Sequence, residues 1–322
     1  MDVEDRHFSR VAKAIAAGNV VPFLGAGANL CDRPEEASWE QGGFAPSGRE
    51  LAQALAKDSE FPDPGDPDLL WVSQYFDAVL GGGPLYEKLR DVFDSDYPPS
   101  SLHRLLARLP GLLRESGADE QLLVLTTNYD DLVERAFQDA GEPFDVVSYE
   151  AKPGPLQGFF WHRPPDGDPV PIKAGNKYNG LALAERPVIL KLHGAVDRLD
   201  KKRDSYVLTE DSYIDYLAGP SVSKQVPSTL LAKMSDSHFL FLGYSMRDWN
   251  MRVILKQLWG SNELGTKSWS VQLAQAAEAA REVERQLWSR RGDVDLIYAP
   301  LREYVERLDA ALSALGDAVP RP

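Results

Sequence analysis

Six short apolar runs recur along this chain: Val20–Leu24, Leu122–Leu125, Val188–Leu192, His238–Leu242, Trp269–Leu273 and Val294–Tyr298. Four of them stop abruptly at glycine or small polar residues: Gly25, Thr126, His193-Gly194 and Gly243. Runs of about five residues without polar alternation are strands buried on both faces, and such strands belong to parallel sheets covered by helices. Amphipathic segments separate them. Leu132, Val133, Ala136, Phe137 and Ala140 fall on one stripe, with Gly141 as a stop. Met251, Ile254, Leu255 and Leu258 make a second stripe, and Leu301, Val305, Leu308 and Leu312 a third. Strand-then-helix alternation predicts an α/β fold with a doubly wound parallel sheet, Rossmann-like in kind.

Two stretches depart from the alternation. Residues 31–118 read as mostly helical, interrupted at 61–68 and 81–84 by Pro, Gly and Asp, and are expected to be a helical insertion. Residues 145–187 carry seven prolines and an aromatic cluster, Phe159-Phe160-Trp161-His162. They are expected to form an irregular connection, with a small strand-rich subdomain as the alternative. Residues 1–315 read as one domain, and 316–322 as a frayed tail.

Charge and cysteine content exclude several functions. Acidic residues number 49 against 35 basic ones, a net charge of −14. So acidic a surface repels a phosphate backbone, and no direct nucleic-acid binding is expected. The single cysteine, Cys31, allows no intrachain disulfide and no multi-cysteine zinc site. The N-terminus is acidic and no apolar run approaches the ~20 residues of a membrane span, so the chain reads as cytoplasmic.

The informative clusters all fall at strand ends, where open parallel sheets bind ligands. Gly25-Ala26-Gly27-Ala28-Asn29 lets backbone approach a phosphate. Leu30 stands where a dehydrogenase fingerprint has its third glycine, and no acidic strand end follows about 20 residues later, which counts against an NAD-dependent dehydrogenase. The bland alternative is a tight strand-to-helix turn. Thr126-Thr127-Asn128-Tyr129-Asp130-Asp131 contains more polar chemistry than a helix cap needs, although either aspartate could cap the following helix. His193, followed by Gly194, is placed to turn its ring into a cleft as a general base; a buried structural histidine is the alternative. Gly243-Tyr244-Ser245-Met246-Arg247-Asp248 offers backbone access and a hydroxyl, or a helix-entry box between Ser245 and Asp248.

In this order the four clusters resemble the sirtuin family, over about residues 18–260. Gly25-Ala26-Gly27-Ala28 is similar to its Gly-Ala-Gly-x-Ser loop, with Asn29 in place of serine. Thr126-Thr127-Asn128-Tyr129-Asp130 is similar to its Thr-Gln-Asn-Ile-Asp motif, His193-Gly194 to its His-Gly, and Gly243-Tyr244-Ser245 to its Gly-Thr/Thr-Ser element. The four-cysteine zinc module of the protein deacylases is absent, as is their Ile-Pro-Asp-Phe-Arg segment. Pro46-Ser47-Gly48-Arg49-Glu50-Leu51 and Tyr129 instead resemble the sirtuin-like branch found in bacterial antiphage effectors.

The resemblance implies a sirtuin-type fold without a zinc module, and NAD as substrate with no metal. The implied activity is NAD glycohydrolysis to nicotinamide and ADP-ribose. The implied catalytic residues are Asn128, His193 and Asp130. Gly25, Ala26 and Gly27 would hold the diphosphate through backbone N–H groups. Asn29, Thr127, Gly243, Tyr244 and Ser245 complete the binding set, with Gly243 and Ser245 on the adenosine ribose. It also implies control by homo-oligomerisation or by a partner such as a HerA-type ATPase, an Argonaute-like protein or a sensor. Two alternatives stay open: an NAD- or ADP-ribose-sensing module, and an NAD-dependent deacylase or ADP-ribosyltransferase.

Overall fold

The computed structural model describes residues 3–39, 43–63, 65–118, 122–219, 221–246, 253–256, 258, 266–273 and 278–318. Its centre is a nine-stranded sheet. The strands are β1 (Val20–Leu24), β2 (Leu123–Thr126), β3 (Asp145–Tyr149), β4 (Phe160–Arg163), β5 (Val170–Ile172), β6 (Val188–Lys191), β9 (His238–Leu242), β10 (Ser268–Gln272) and β11 (Val294–Tyr298). A short hairpin of β7 (Gly194–Ala195) and β8 (Ser205–Tyr206) stands apart. The spatial order is β11-β10-β9-β1-β2-β6-β3-β4-β5. Pairing from β11 through β3 is parallel, and β4 and β5 add antiparallel at the edge.

Alternate side chains of each strand serve opposite faces, and both faces are covered. Val21 and Phe23 of β1, Leu123 and Leu125 of β2, and Phe239 and Phe241 of β9 enter one core. There they meet Tyr216 of α7 (Glu210–Ala218), Val222 of α8 (Val222–Gln225), Leu230 and Met234 of α9 (Ser228–Ser235), and Trp288. Val20, Leu24, Val124, Leu240 and Leu242 enter the other. That face is covered by α1 (Val3–Ala16), α5 (Ser101–Ser116), α6 (Leu132–Asp139) and the C-terminal helix Leu301–Ala318. In α1 the buried residues Phe8, Val11, Ala12 and Ile15 keep the spacing of a single helical stripe. This is the doubly wound α/β arrangement the sequence predicts, and it explains why the strands lack polar alternation. Among the described residues no helix is long and apolar enough to cross a membrane.

A third apolar cluster belongs to α2 (Gly48–Asp58), α3 (Leu69–Leu80) and α4 (Gly82–Phe93). It packs on Val196, Tyr206 and Leu208, beyond the end of β6. Residues 145–187 differ from the expected irregular connection. They contribute β3, β4 and β5, because alternation such as Phe160 and His162 buried against Trp161 and Arg163 half-exposed suits an edge antiparallel ladder despite the prolines around it. Of the expected frayed tail 316–322, Gly316 to Ala318 continue the last helix, and 319–322 lie outside the described residues. So does Met251 of the second amphipathic stripe.

The Pro46–Leu51 segment is where α2 begins. Ser47 Oγ accepts from Glu50 N, and Glu50 returns the bond to Ser47 N at 2.9 Å, a reciprocal capping box. Arg33, just beyond the glycine turn, donates to the same carboxylate, and Trp39 N donates to Oε1 at 2.7 Å. The Arg33 guanidinium, followed by the backbone and hydroxyl donors, holds the Glu50 carboxyl at about 2, below its ordinary 4.5. The native state therefore gains stability from this ionised group above about pH 4.5 and loses it as pH falls toward 2. Glu50→Gln is expected to cost about 1–2 kcal/mol at pH 7, after screening of a partly exposed site, and to flatten the acid limb of a urea-unfolding pH series.

Candidate functional site

The register of the central strands sets the level of everything that follows them. Leu24 pairs with Leu242 on one side and Thr126 on the other, and Thr126 pairs with Lys191. Gly25, Thr127, Leu192 and Gly243 therefore leave the sheet side by side at its carboxyl edge. From β1 the chain builds outward through β2 and β6 on one side and through β9, β10 and β11 on the other. That divergence is the switch point at which open α/β sheets form a crevice.

The glycine turn and the loop after β9 interlock backbone to backbone. Gly25 N donates to Leu242 O at 3.1 Å, and Gly27 N donates to Gly243 O at 2.9 Å. A Cβ at Gly25 would come within 2.7 Å of Gly243 O, and one at Gly27 within 2.8 Å. Gly243 has φ +69, and its Cβ would lie 2.0 Å from Ala28 N. This corrects the expectation that the N–H groups of Gly25 and Gly27 face a diphosphate: one is bonded to the end of β9 and the other to the loop after it, and the glycines serve close approach. Ala26 is the exposed residue of the turn. Below it, Ser100 Oγ donates to Ala28 O at 3.3 Å and Asp32 accepts from Ser101 N at 2.6 Å, which seats the turn on the start of α5.

Asn29, Asn128 and Asp130 form one hydrogen-bonded group. Asn128 Nδ2 donates to Gly25 O at 3.1 Å and to Asn29 Oδ1 at 3.3 Å. Asn29 Nδ2 donates to Asp130 Oδ2 at 2.7 Å, and Asp130 Oδ1 accepts from Leu132 N at 3.1 Å. Asp130 thus both caps the entry to α6 and anchors Asn29, joining two readings that the sequence left as alternatives. Asp131 is held instead by Arg198, whose Nε and Nη2 reach its two carboxylate oxygens at 2.5 and 3.0 Å. Thr127 N donates to Leu24 O at 3.3 Å, and Thr126 Oγ1 accepts from Asn128 N at 3.0 Å. Tyr129 bonds Val207 O through its hydroxyl at 2.6 Å, which ties this loop to the segment after β8.

His193 is not turned into an open cleft. It is 2% exposed, with the rings of Tyr213 and Tyr216 from α7 edge-on at 5.4 and 5.5 Å. Tyr213 Oη lies 3.5 Å from Nδ1, and Nε2 is buried without a hydrogen-bond partner among the described residues. Burial in apolar and aromatic surroundings pushes the ring down to about 3, so it is a neutral imidazole at physiological pH. Tyr244 is buried against Phe23, and Ser245 is exposed. Arg247 and Asp248 lie outside the described residues. Sequence reading passed over Tyr213, Tyr216 and Gln272. Gln272 Nε2 donates to Tyr244 O at 2.7 Å while its Oε1 accepts from Met246 N at 3.3 Å, fixing the loop after β9. No local pattern marks these three. Among the described residues no group of three or more His, Cys, Asp or Glu is placed to hold a metal ion.

A model described as a SIR2-like domain matches residues 122–292, more than half of the chain, and takes in Asn128, His193 and Gly243. The chain belongs to the SIR2-like family. The chain is 26% identical over 254 residues to an NAD(+) hydrolase ThsA of Enterococcus faecium, covering 77% of this chain and 42% of that protein. It is 24% identical over 254 residues to an NAD(+) hydrolase ThsA of Acinetobacter baumannii, covering 77% and 41%. It is 25% identical over 240 residues to defense-associated sirtuin 2 of Bacillus subtilis, covering 74% and 19%. The chain therefore spans less than half the length of these relatives.

Two outcomes test this geometry. Gly243→Ala is expected to cost about 2 kcal/mol or more in urea unfolding, from the left-handed backbone and the overlap with Ala28 together. In an NMR titration the His193 ring should stay neutral from pH 8 to about pH 4. The unfolded ring takes a proton near 6.5 and the folded one only near 3, so this histidine makes the native state progressively less stable as pH falls through that window.

Proposed function

We propose that this chain is an NAD glycohydrolase, cleaving NAD to nicotinamide and ADP-ribose, and that it serves in bacterial antiphage defence. The observation that carries the reading is the Asn29–Asn128–Asp130 group at the switch point, with the neutral His193 on the neighbouring strand end. The names of the relatives, NAD(+) hydrolase and defense-associated sirtuin, support it.

The reaction breaks the bond between a ribose and a cationic pyridinium. The leaving group departs neutral, so no strong acid is needed. The site must position a water, exclude bulk solvent and stabilise a ribose that gains positive charge. Asn128 suits the first task. With Nδ2 committed to Gly25 O and Asn29 Oδ1, its Oδ1 is the atom left to accept from a ribose hydroxyl or from water. Asp130 keeps Asn29, and through it Asn128, in place, and its carboxylate favours the developing cation. His193 has an unsatisfied Nε2 and can take a proton from the ribose hydroxyl or the water once it leaves the apolar burial that depresses its basicity. Ala26 and the exposed Ser245, flanking the interlocked turns, would meet the diphosphate and the adenosine ribose; Gly25, Gly27, Gly243, Thr127 and Tyr244 shape the crevice between them.

The burial of His193 under Tyr213 and Tyr216 supports a further element of this reading. The enzyme is held quiet until self-association or a partner shifts α7 and opens the ring to substrate. Nicotinamide release from NAD, followed by chromatography, is the test. Asn128→Ala and His193→Ala should each lower turnover by about 10²-fold or more with the fold intact by circular dichroism. Wild-type turnover in both variants would rule the assignment out.

A further inference from the structure

Lys191 is an anomaly in its strand. It ends an otherwise aliphatic run, Val188-Ile189-Leu190, and its side chain is 1% exposed. It pairs with Glu134 of α6 at 2.8 Å, itself 4% exposed, and its ammonium also donates to the carbonyl oxygen of Asp130. The second oxygen of Glu134 is buried without a partner among the described residues. Such a pair is a poor way to stabilise a core. Desolvating two charges costs more than their attraction returns unless every donor and acceptor is met, and apolar residues of the same volume do as well or better.

What methionine and leucine could not do is grip the Asp130 carbonyl. That grip joins two chain segments carrying the candidate chemistry. On one side, the Asp130 backbone is fixed, and its carboxylate holds Asn29, which in turn holds Asn128. On the other, Lys191 is two residues before His193 and pairs across the sheet with Thr126, two residues before Asn128. From this we infer that the buried Lys191–Glu134 pair is a positioning element that holds the Asn128–Asp130 loop and the His193 strand end in mutual register. It acts through those residues and touches no substrate. The kinetic side of this inference rests on the NAD-cleaving reading; the structural side does not.

The test compares the intact chain with Lys191→Met and with the double variant Lys191→Met/Glu134→Leu. The single change strands a buried carboxylate and should lower Tm sharply. The double change should restore Tm to the wild-type value or above. In the double variant, amide hydrogen exchange at 127–132 and 192–196 should still run about tenfold faster or more, while the rest of the sheet keeps its protection. Nicotinamide release should fall about 10- to 100-fold in kcat with KM within about threefold, the signature of lost alignment. A double variant with wild-type exchange and wild-type kcat overturns the inference. So does one that fails to fold, since the pair would then be a folding element. A wild-type chain that releases no nicotinamide, as a chain held quiet would, leaves the kinetic arm silent, and the exchange comparison alone then upholds or overturns the inference.

Discussion

One hydrogen bond, from Gly27 N to Gly243 O, fixes the distance at which the rest of the site can assemble. It requires two loops from adjacent strands to touch through their main chains, and that contact leaves no room for side chains at Gly25, Gly27 or Gly243. The glycine turn is thereby pressed toward β9 on one side while Asn128 grips Gly25 O from β2 on the other. The crevice of a switch point is usually described by its topology. Here it is bounded by one main-chain contact and one side-chain grip on a main-chain carbonyl, and the substitution tolerance of the three glycines follows from steric overlap before any ligand is considered.

The sheet was legible in the sequence because its physics is local. A strand covered on both faces has no polar partner to show, so Val20–Leu24 and His238–Leu242 announce themselves as unbroken apolar runs, and their ends announce the site. The antiparallel strands β4 and β5 were not legible. β4 and β5 sit among prolines and carry exposed residues such as Val170, so the hydrophobic signal that marks a central strand is missing. The glycine turn shows a subtler limit. Its composition said that backbone must come close to something, and the sequence could not say that the something was another loop of the same chain.

The site residues divide in the same way. Asn128, Asp130 and His193 lie in dense polar clusters at strand ends and were readable as such. Their partners come from afar: Asn29 across 101 residues to Asp130, Tyr213 twenty residues past His193, and Glu134 across 57 residues to Lys191. Lys191 alone left a trace, a lysine inside an aliphatic strand, where an uncompensated charge would be very costly. Burial also reversed one expectation. A histidine before a glycine at a strand end looks accessible, but α7 packs two tyrosines over it, and the same burial that hides the ring keeps it unprotonated.

The helices α2, α3 and α4 form an apolar cluster of their own, meeting the sheet's loops through Tyr129, Val196, Tyr206 and Leu208. A cluster bounded in this way is a candidate cooperative unit, able to open while the central sheet remains closed. Tyr129 lies between Asn128 and Asp130, so it belongs to the unit and to the site at once. Motion of the helical layer would reach the polar group directly through this covalently embedded side chain. How tightly α2, α3 and α4 pack against Tyr129 therefore bears directly on how still the Asn128 loop can be held.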